Sequence, residues 1–344
     1  MCSQLHSLRV PGDRGPIKVC IIGAGGHSRS CHLPALQLYQ ARHPGRVELA
    51  GIADRDRALA EVAAGSFGAG RAYVDLEAML QAEQPDACLA LASVEHNARV
   101  AIRLMERGLP ALIEKPLGVT MAEARRVVSV AERTGARVMV SMNRRFDPLL
   151  NAALTWINGR SPSYVRASML RHDRREEHFL AQTGVHVVDA LRKIAGDVYS
   201  WRAEKSTVDG TRWTQIGVVF ENGIRGLIDL MPTAGSCAET YEIFGADYRA
   251  EIQCSETGAS RWRGWESGRL VCDESTAAGT PAYVSNGTAA ETEAFFGSLL
   301  EGRSFYPSPA DVLSSMELCH LAGQDDETCG WQPHPPLGTP LAGR

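Results

Sequence analysis

Along the first 145 residues the apolar positions come in short continuous runs. "IKVCII" (17–22) is apolar except for Lys18 and stops at Gly23. "RVELAGIAD" (46–54) closes on Asp54, and "DACLALAS" (86–93), "ALIEKP" (111–116) and "ARVMVSM" (136–142) follow. Unbroken runs of this length predict parallel strands covered on both faces. Between them the sequence predicts helices: about 27–42, interrupted at Pro34; about 56–66; and "HNARVAIRLMERG" (96–108), an amphipathic stretch with Gly108 as its C-terminal cap. Thr120 and Glu123 form a T-x-x-E capping box for a helix that ends at Gly135. Strands alternating with helices predict an α/β domain with a doubly wound parallel sheet.

The pattern changes near residue 146. A helix is predicted at 148–158, a strand near 163–170, and a helix over "TGVHVVDALRKIAG" (183–196), with Val187, Val188, Leu191 and Ile194 on one side. From Ser200 to about Cys254 the sequence predicts mostly strands. "TQIGVVFENGIRGLIDL" holds two β runs around Asn222-Gly223, and "AETYEIFGADYRAEIQ" repeats the form around Gly245-Ala246-Asp247. Consecutive hairpins predict an antiparallel sheet, so the second half is α+β. Two late helices have start signals, Thr288-x-x-Glu291 and Ser308 followed by Pro309. The expected organisation is a domain over 16–145, a second over 146–323 and a loosely ordered Pro-rich tail over 324–344. A length of 344 residues fits two domains, because single cores stop growing near roughly 250–300 residues.

Composition narrows the function. With 44% hydrophobic and 22% charged residues the chain reads as an ordinary globular protein. A net charge of −4 gives no basic field for nucleic acid. No apolar stretch reaches the about 20 residues that a membrane span needs. The opening "MCSQLHSLRVPGDRG" lacks an apolar signal core, so a cytoplasmic location is expected. Nine cysteines contain no C-x-x-C pair. Cys20 and Cys88 fall in strand runs and read as buried small hydrophobes in a reducing compartment; neither a disulfide frame nor a metal site is expected.

The chemistry starts at "GAGGHS". Gly23 and Gly25 fill the first two places of G-x-G-x-x-G, and Ser28 takes the third. The first glycine permits a tight turn, the second lets a pyrophosphate approach, and the third allows helix–strand packing, which serine largely keeps. The N–H groups of Gly26 and His27 would face the phosphates from a helix start. The competing reading is an ordinary strand–turn–helix corner. Asp54, 29 residues after Gly25, would accept the ribose hydroxyls, which favours NAD. Arg55 beside it can pair with a 2′-phosphate, which leaves NADP open. Lys115 ends a parallel strand, at the sheet edge where such folds bind ligands, and can exchange a proton with a reacting hydroxyl. His186 and Asp189 share a helical face. There Asp189 either orients the histidine or caps structure, and a histidine packed under the sheet is the competing reading.

Taken together, "GAGGHSRS", "GIADRD", "ASVEHNARVAIRLMERGLPALIEKPLGVTMAEA", "MNRRFDP" and "TGVHVVDALRKIAGDV" resemble the Gfo/Idh/MocA oxidoreductases, over about residues 16–323. The resemblance implies a Rossmann domain followed by an α+β domain with an open, mostly antiparallel sheet. It implies a homo-oligomer, dimer or tetramer, formed through that sheet. It also implies hydride transfer between NAD or NADP and a secondary alcohol or ketone of a sugar, cyclitol or sugar acid. Carried over, Lys115 and His186 are catalytic, and Glu114, Ser93 and His96 lie along the cofactor. Gln182, Asp189 and Arg145 are the expected substrate contacts. One departure stands out: many relatives have aspartate where this chain has Gln182, which hydrogen-bonds but holds no charge. Arg171, His172 and Arg174 of "RHDRREEH" are candidates for meeting an acidic substrate, against the reading of a solvated charged loop. The reading from another class is a non-catalytic dinucleotide- or sugar-binding regulator on the same fold.

Overall fold

The computed structural model describes residues 15–255 and 259–324. They form two units: one runs to Ser141 and takes in Thr288–Leu313, the other comprises Met142–Gly287 and the residues from Ser314 onward. The Pro-rich tail, except for Gln324, lies outside the described residues.

The first unit is built on six strands, β1 (Ile17–Ile22), β2 (Val47–Ala53), β3 (Arg71–Tyr73), β4 (Ala87–Ala90), β5 (Ala111–Ile113) and β6 (Val138–Val140). They pair in the order β3-β2-β1-β4-β5-β6, all parallel. This is the order of a doubly wound dinucleotide-binding sheet. β4 is buried throughout and β1 everywhere but Lys18, which is why both read as continuous apolar runs. Cys20 and Cys88 are register partners, free and fully buried.

The connecting helices are α1 (Leu33–Arg42), α2 (Arg57–Phe67), α3 (Leu76–Glu83), α4 (Val94–Glu106) and α5 (Met121–Thr134). α5 has the expected capping box, and Gly135 closes it with φ +62°. The helix expected over 27–42 is present and runs unbroken from Gly26. Within it Ser28–His32 is wound as one π turn, and Pro34 follows near the start of the regular α-helical part; such local π adjustments occur as single turns inside α-helices. β3 and α3 were not foreseen. β3 is a three-residue edge strand with no fully buried position, so it carries no apolar run to find. Residues 288–313 add Phe295 and Phe296, both fully buried, with the Phe296 ring 4.8 Å from that of Tyr39.

The second unit is organised by β7 (Pro162–Leu170), β8 (Val198–Val208), β9 (Thr211–Phe220), β10 (Arg225–Met231), β11 (Ala238–Gly245), β12 (Tyr248–Ser255), β13 (Arg261–Glu266) and β14 (Arg269–Ser275). The sheet order is β14-β13-β12-β11-β7-β10-β9-β8, antiparallel except for the β7–β10 pair. Both expected hairpins are present. The β13–β14 hairpin was not foreseen. Its turn residues Ser267 and Gly268 have φ +50° and +72°, a Ser-Gly turn signal, but β14 is almost wholly exposed and lacks an apolar face. Helices α6 (Pro148–Trp156), α7 (Val185–Ala195) and the short α8 (Ala282–Ser285) belong to this unit. The two late helices are α9 (Thr288–Leu300) and α10 (Pro309–Gly323), both at their start signals. Among the described residues no helix is long and apolar enough to cross a membrane.

Candidate active site

In the first unit, the turns after β1, β2, β4 and β5 leave the same edge of the parallel sheet. Gly23 has φ +102°, and a Cβ there would stand 2.2 Å from the Leu91 carbonyl oxygen. Its N–H donates to the Ala53 carbonyl at 2.8 Å. Chain packing alone therefore demands glycine at this position. Gly25 and Gly26 differ: no atom lies within 4 Å of a Cβ at either, and neither has a positive φ. Packing does not require them to be bare, and the space beside each is open. Ser28, in the third glycine's place, is 2% exposed, as a packing position should be.

Asp54 follows β2 and ties this corner together. Its Oδ2 accepts the Ala24 N–H at 2.7 Å and its Oδ1 the Asp56 N–H at 2.9 Å. A carboxylate has about four acceptor sites, so two remain for a ligand. Arg55 is exposed beside it. Ser93 is the exposed residue that begins α4, and His96 is half-buried one turn on.

The β5 end carries Glu114, Lys115 and Pro116. The Lys115–Pro116 peptide is cis. Asn97, buried on α4, donates its side-chain amide to the Glu114 carbonyl and, at 2.7 Å, to that of Pro116. This residue escaped the sequence reading, because a lone asparagine in an amphipathic helix gives no signal. Glu114 is 8% exposed; its Oε2 accepts the Lys115 N–H at 3.1 Å and its Oε1 meets His32 Nε2 at 2.7 Å and His27 Nε2 at 3.4 Å. Burial opposes ionisation of Glu114, but His27 and then His32 outweigh it and hold the carboxyl well below its usual range. In return the Cys31 sulphur and Glu114 raise the His27 pKa to about 10, against burial.

In the second unit, a π turn at Leu180–Gly184 carries Gln182 into α7, which carries His186 and Asp189. A Cβ on Gly184 would press on Leu230 Cδ1 at 3.2 Å, so glycine lets this turn lie against β10. Gln182 and His186 are half-buried. Asp189 and Arg145 are 1% and 4% exposed and bind each other in a bidentate pair, at 2.6 and 2.8 Å. Ser315 Oγ also donates to Asp189, at 2.9 Å. Of the two roles considered for Asp189, its contacts match structure rather than orientation of His186. Lys193 donates to the Arg145 carbonyl; burial, then the Arg145 charge, lowers its pKa to about 8. The charged run at 171–178 is corrected in part. Arg171 is 2% exposed, and its guanidinium pairs with Glu239, which Arg144 also grips. It is buried rather than solvated, and its guanidinium is held by Glu239.

The arrangement of the first unit, a glycine corner with an acid at the end of β2 on a doubly wound parallel sheet, is that of the dinucleotide-binding α/β class. Comparison with known proteins agrees. Residues 17–142 match the oxidoreductase family with the NAD-binding Rossmann fold, Gfo/Idh/MocA. The D-apiose dehydrogenase of Paraburkholderia graminis is 29% identical over 266 residues, 68% of this chain and 69% of that protein. The inositol 2-dehydrogenase of Paracoccus denitrificans is 29% identical over 197 residues, 53% of this chain and 55% of that protein. In fold, a levoglucosan dehydrogenase solved with NADH and levoglucosan superposes with a TM-score of 0.75 at 19% identity, covering 89% of this chain and 95% of that one. Over residues 17–142, its NAD-binding part, the chain is thus similar to the Gfo/Idh/MocA oxidoreductases.

Proposed function

We propose that this oxidoreductase transfers a hydride between a nicotinamide dinucleotide and a secondary alcohol or ketone of a sugar, cyclitol or sugar acid. The observation that carries the reading is the glycine corner. Gly23 is bare because Leu91 leaves no room, whereas Gly25 and Gly26 face open space and so suit a diphosphate. Gly23–Ser28 would hold the pyrophosphate, and Asp54 the adenosine ribose, which favours NAD over NADP. Ser93, His96 and Glu114 would line the cofactor. The apiose, inositol and levoglucosan substrates named for the relatives are all polyhydroxylated, which supports the substrate class.

The nicotinamide supplies the redox chemistry when bound. Lys115 and His186 are proposed to exchange the alcohol proton. Gln182 would bind a substrate hydroxyl as a neutral donor and acceptor. With no carboxylate at that position, the cationic form of its neighbours loses one source of support. The open sheet of the second unit, with Tyr164, Leu270 and Val271 exposed, is proposed to join subunits into a homo-oligomer.

The test is calorimetric titration with NADH and NADPH, followed by turnover assays across sugars, polyols and uronates. Tight NADH binding with oxidation of at least one polyol is the expected result. Binding without turnover anywhere on the panel would favour the regulator reading, which Gln182 already supports. No uptake of either coenzyme would end the oxidoreductase reading and leave only a sugar-binding regulator.

A further inference from the structure

Residues five apart on an α-helix point to different sides, since five residues do not complete a whole number of turns. His27 and His32 are five apart, yet their rings share a side. The reason is local. Ser28–His32 is a single π turn, closed by the Leu33 N–H donating to the Ser28 carbonyl, and such i→i+5 turns are rare and recur at functional sites. The ring centroids stand 5.2 Å apart, edge to face.

Both rings direct Nε2 at one carboxylate oxygen, Glu114 Oε1, at 3.4 Å from His27 and 2.7 Å from His32. The three ligating atoms lie within 4.8 Å of one another. Two of the groups are fixed by burial, His32 at 0% and Glu114 at 8% exposure, while the His27 side chain is 55% exposed. The cluster is thus rigid on one side and reachable from solvent on the other. The second ring nitrogen of His32 is buried with no hydrogen-bond partner among the described residues. A fully buried imidazole left half-satisfied is costly, and packing alone does not explain why one sits here.

We propose that His27, His32 and Glu114 form a binding site for a divalent ion of the zinc type, with the two Nε2 atoms and the Glu114 carboxylate as ligands. Two imidazoles and one carboxylate make up a known open zinc set, with the fourth position free for water or another oxygen. Imidazole nitrogen selects Zn, Co, Ni or Cu over Mg and Ca, which prefer oxygen throughout. Ligands held at about 2.0–2.2 Å from a tetrahedral ion stand about 3.3 Å apart. The His27–Glu114 separation of 3.4 Å already meets that. The His32–Glu114 separation of 2.7 Å has to open by a few tenths of an ångström as the ion replaces the shared hydrogen. The site escaped the sequence reading because a five-residue histidine spacing is no ligand pattern on a regular helix.

The site shares His27 and Glu114 with the proposed cofactor site, but its test does not depend on that reading, since ion uptake is measured with no coenzyme present. The full chain, untagged and stripped with chelator, is titrated with Co²⁺ and then Zn²⁺, followed by calorimetry and visible absorption. The expected result is one Co²⁺ per chain with the intense visible band of a tetrahedral site, displaced by Zn²⁺ and unmatched by Mg²⁺. His27→Ala, at an exposed position where folding should persist, weakens uptake at least tenfold, as do His32→Gln and Glu114→Gln. His172→Ala, an exposed histidine elsewhere, leaves it unchanged. Absence of saturable uptake by the unaltered chain would overturn the proposal, as would uptake that His27→Ala does not weaken or that His172→Ala abolishes. If the buried variants fail to fold, the unaltered chain and His27→Ala decide the matter.

Discussion

Two corners of the molecule are built alike and finished differently. Each contains a single π turn, Ser28–His32 in the first unit and Leu180–Gly184 in the second. Each also holds a glycine that packing demands, Gly23 under the Leu91 carbonyl and Gly184 against Leu230. In the first corner the next two glycines face open space and the charged groups gather at the edge, with His27 half-exposed. In the second corner the fold has taken up the charges: Arg145 with Asp189, and Arg144 and Arg171 with Glu239. Gln182 and His186 are the half-buried polar groups that stay at its surface. A charged residue beside a motif therefore says little about ligands until its partner is known. The more telling feature is a small residue that the fold itself does not need.

The sharpest way to break this contrast is Asp189→Ala. Removing one member of a buried ion pair leaves the other uncompensated, so we expect a loss of about 3–5 kcal/mol in denaturant unfolding. A variant that keeps its stability but changes only KM would return Asp189 to the substrate. Next is Lys115→Ala, for which kcat should fall about a thousandfold with dinucleotide affinity retained. If Lys115 and His186 serve one proton transfer, the double variant should lose little beyond the worse single variant; multiplied losses would assign them to separate steps.

The glycine motif can itself be divided. Gly23→Ala combines a positive φ with a clash against a backbone carbonyl and should lower stability by about 3 kcal/mol, read as a fall in Tm. Gly25→Ala should leave Tm alone and weaken NADH binding about tenfold. Equal effects from both would show that the corner serves packing only.

The smallest effect is the pH dependence of the His27–Glu114 pair. The His27 pKa rises on folding from about 6.5 to about 10, so its contribution is complete below pH 6.5 and is lost as pH climbs toward 10. Glu114 is displaced downward, so its share is present above the ordinary carboxylate pKa and is lost in acid. Because His27 is half-exposed, its share should stay under about 1 kcal/mol. Unfolding of His27→Ala against the unaltered chain, from pH 6 to 10, should show the difference shrinking with rising pH; a difference that grows would contradict the pairing.

Much of this was legible along the chain, and the reason is burial. β1, β2, β4, β5 and β6 are covered on both faces, so each left a continuous apolar mark, and the capping box of α5 and both Gly-containing hairpin turns act through neighbours in sequence. β3 and β14 left none, because edge strands with exposed side chains need no apolar pattern. The glycine corner was visible as a motif, although which glycine serves the fold and which is left open was not. That depends on Leu91, which lies 68 residues from Gly23 in sequence.

By itself, then, the sequence determined the alternation of strand and helix, the change from parallel to antiparallel texture near residue 146, and the order of the functional blocks. All of these rest on local periodicity and on turn chemistry spanning a few residues. Only the tertiary structure decided that Asp189 and Arg171 are spent on partners 44 and 68 residues away, and that His27, His32 and Glu114 meet at one carboxylate oxygen. Charge pairing acts through space at a few ångströms, and its outcome depends on which side chains the packed backbone brings within reach.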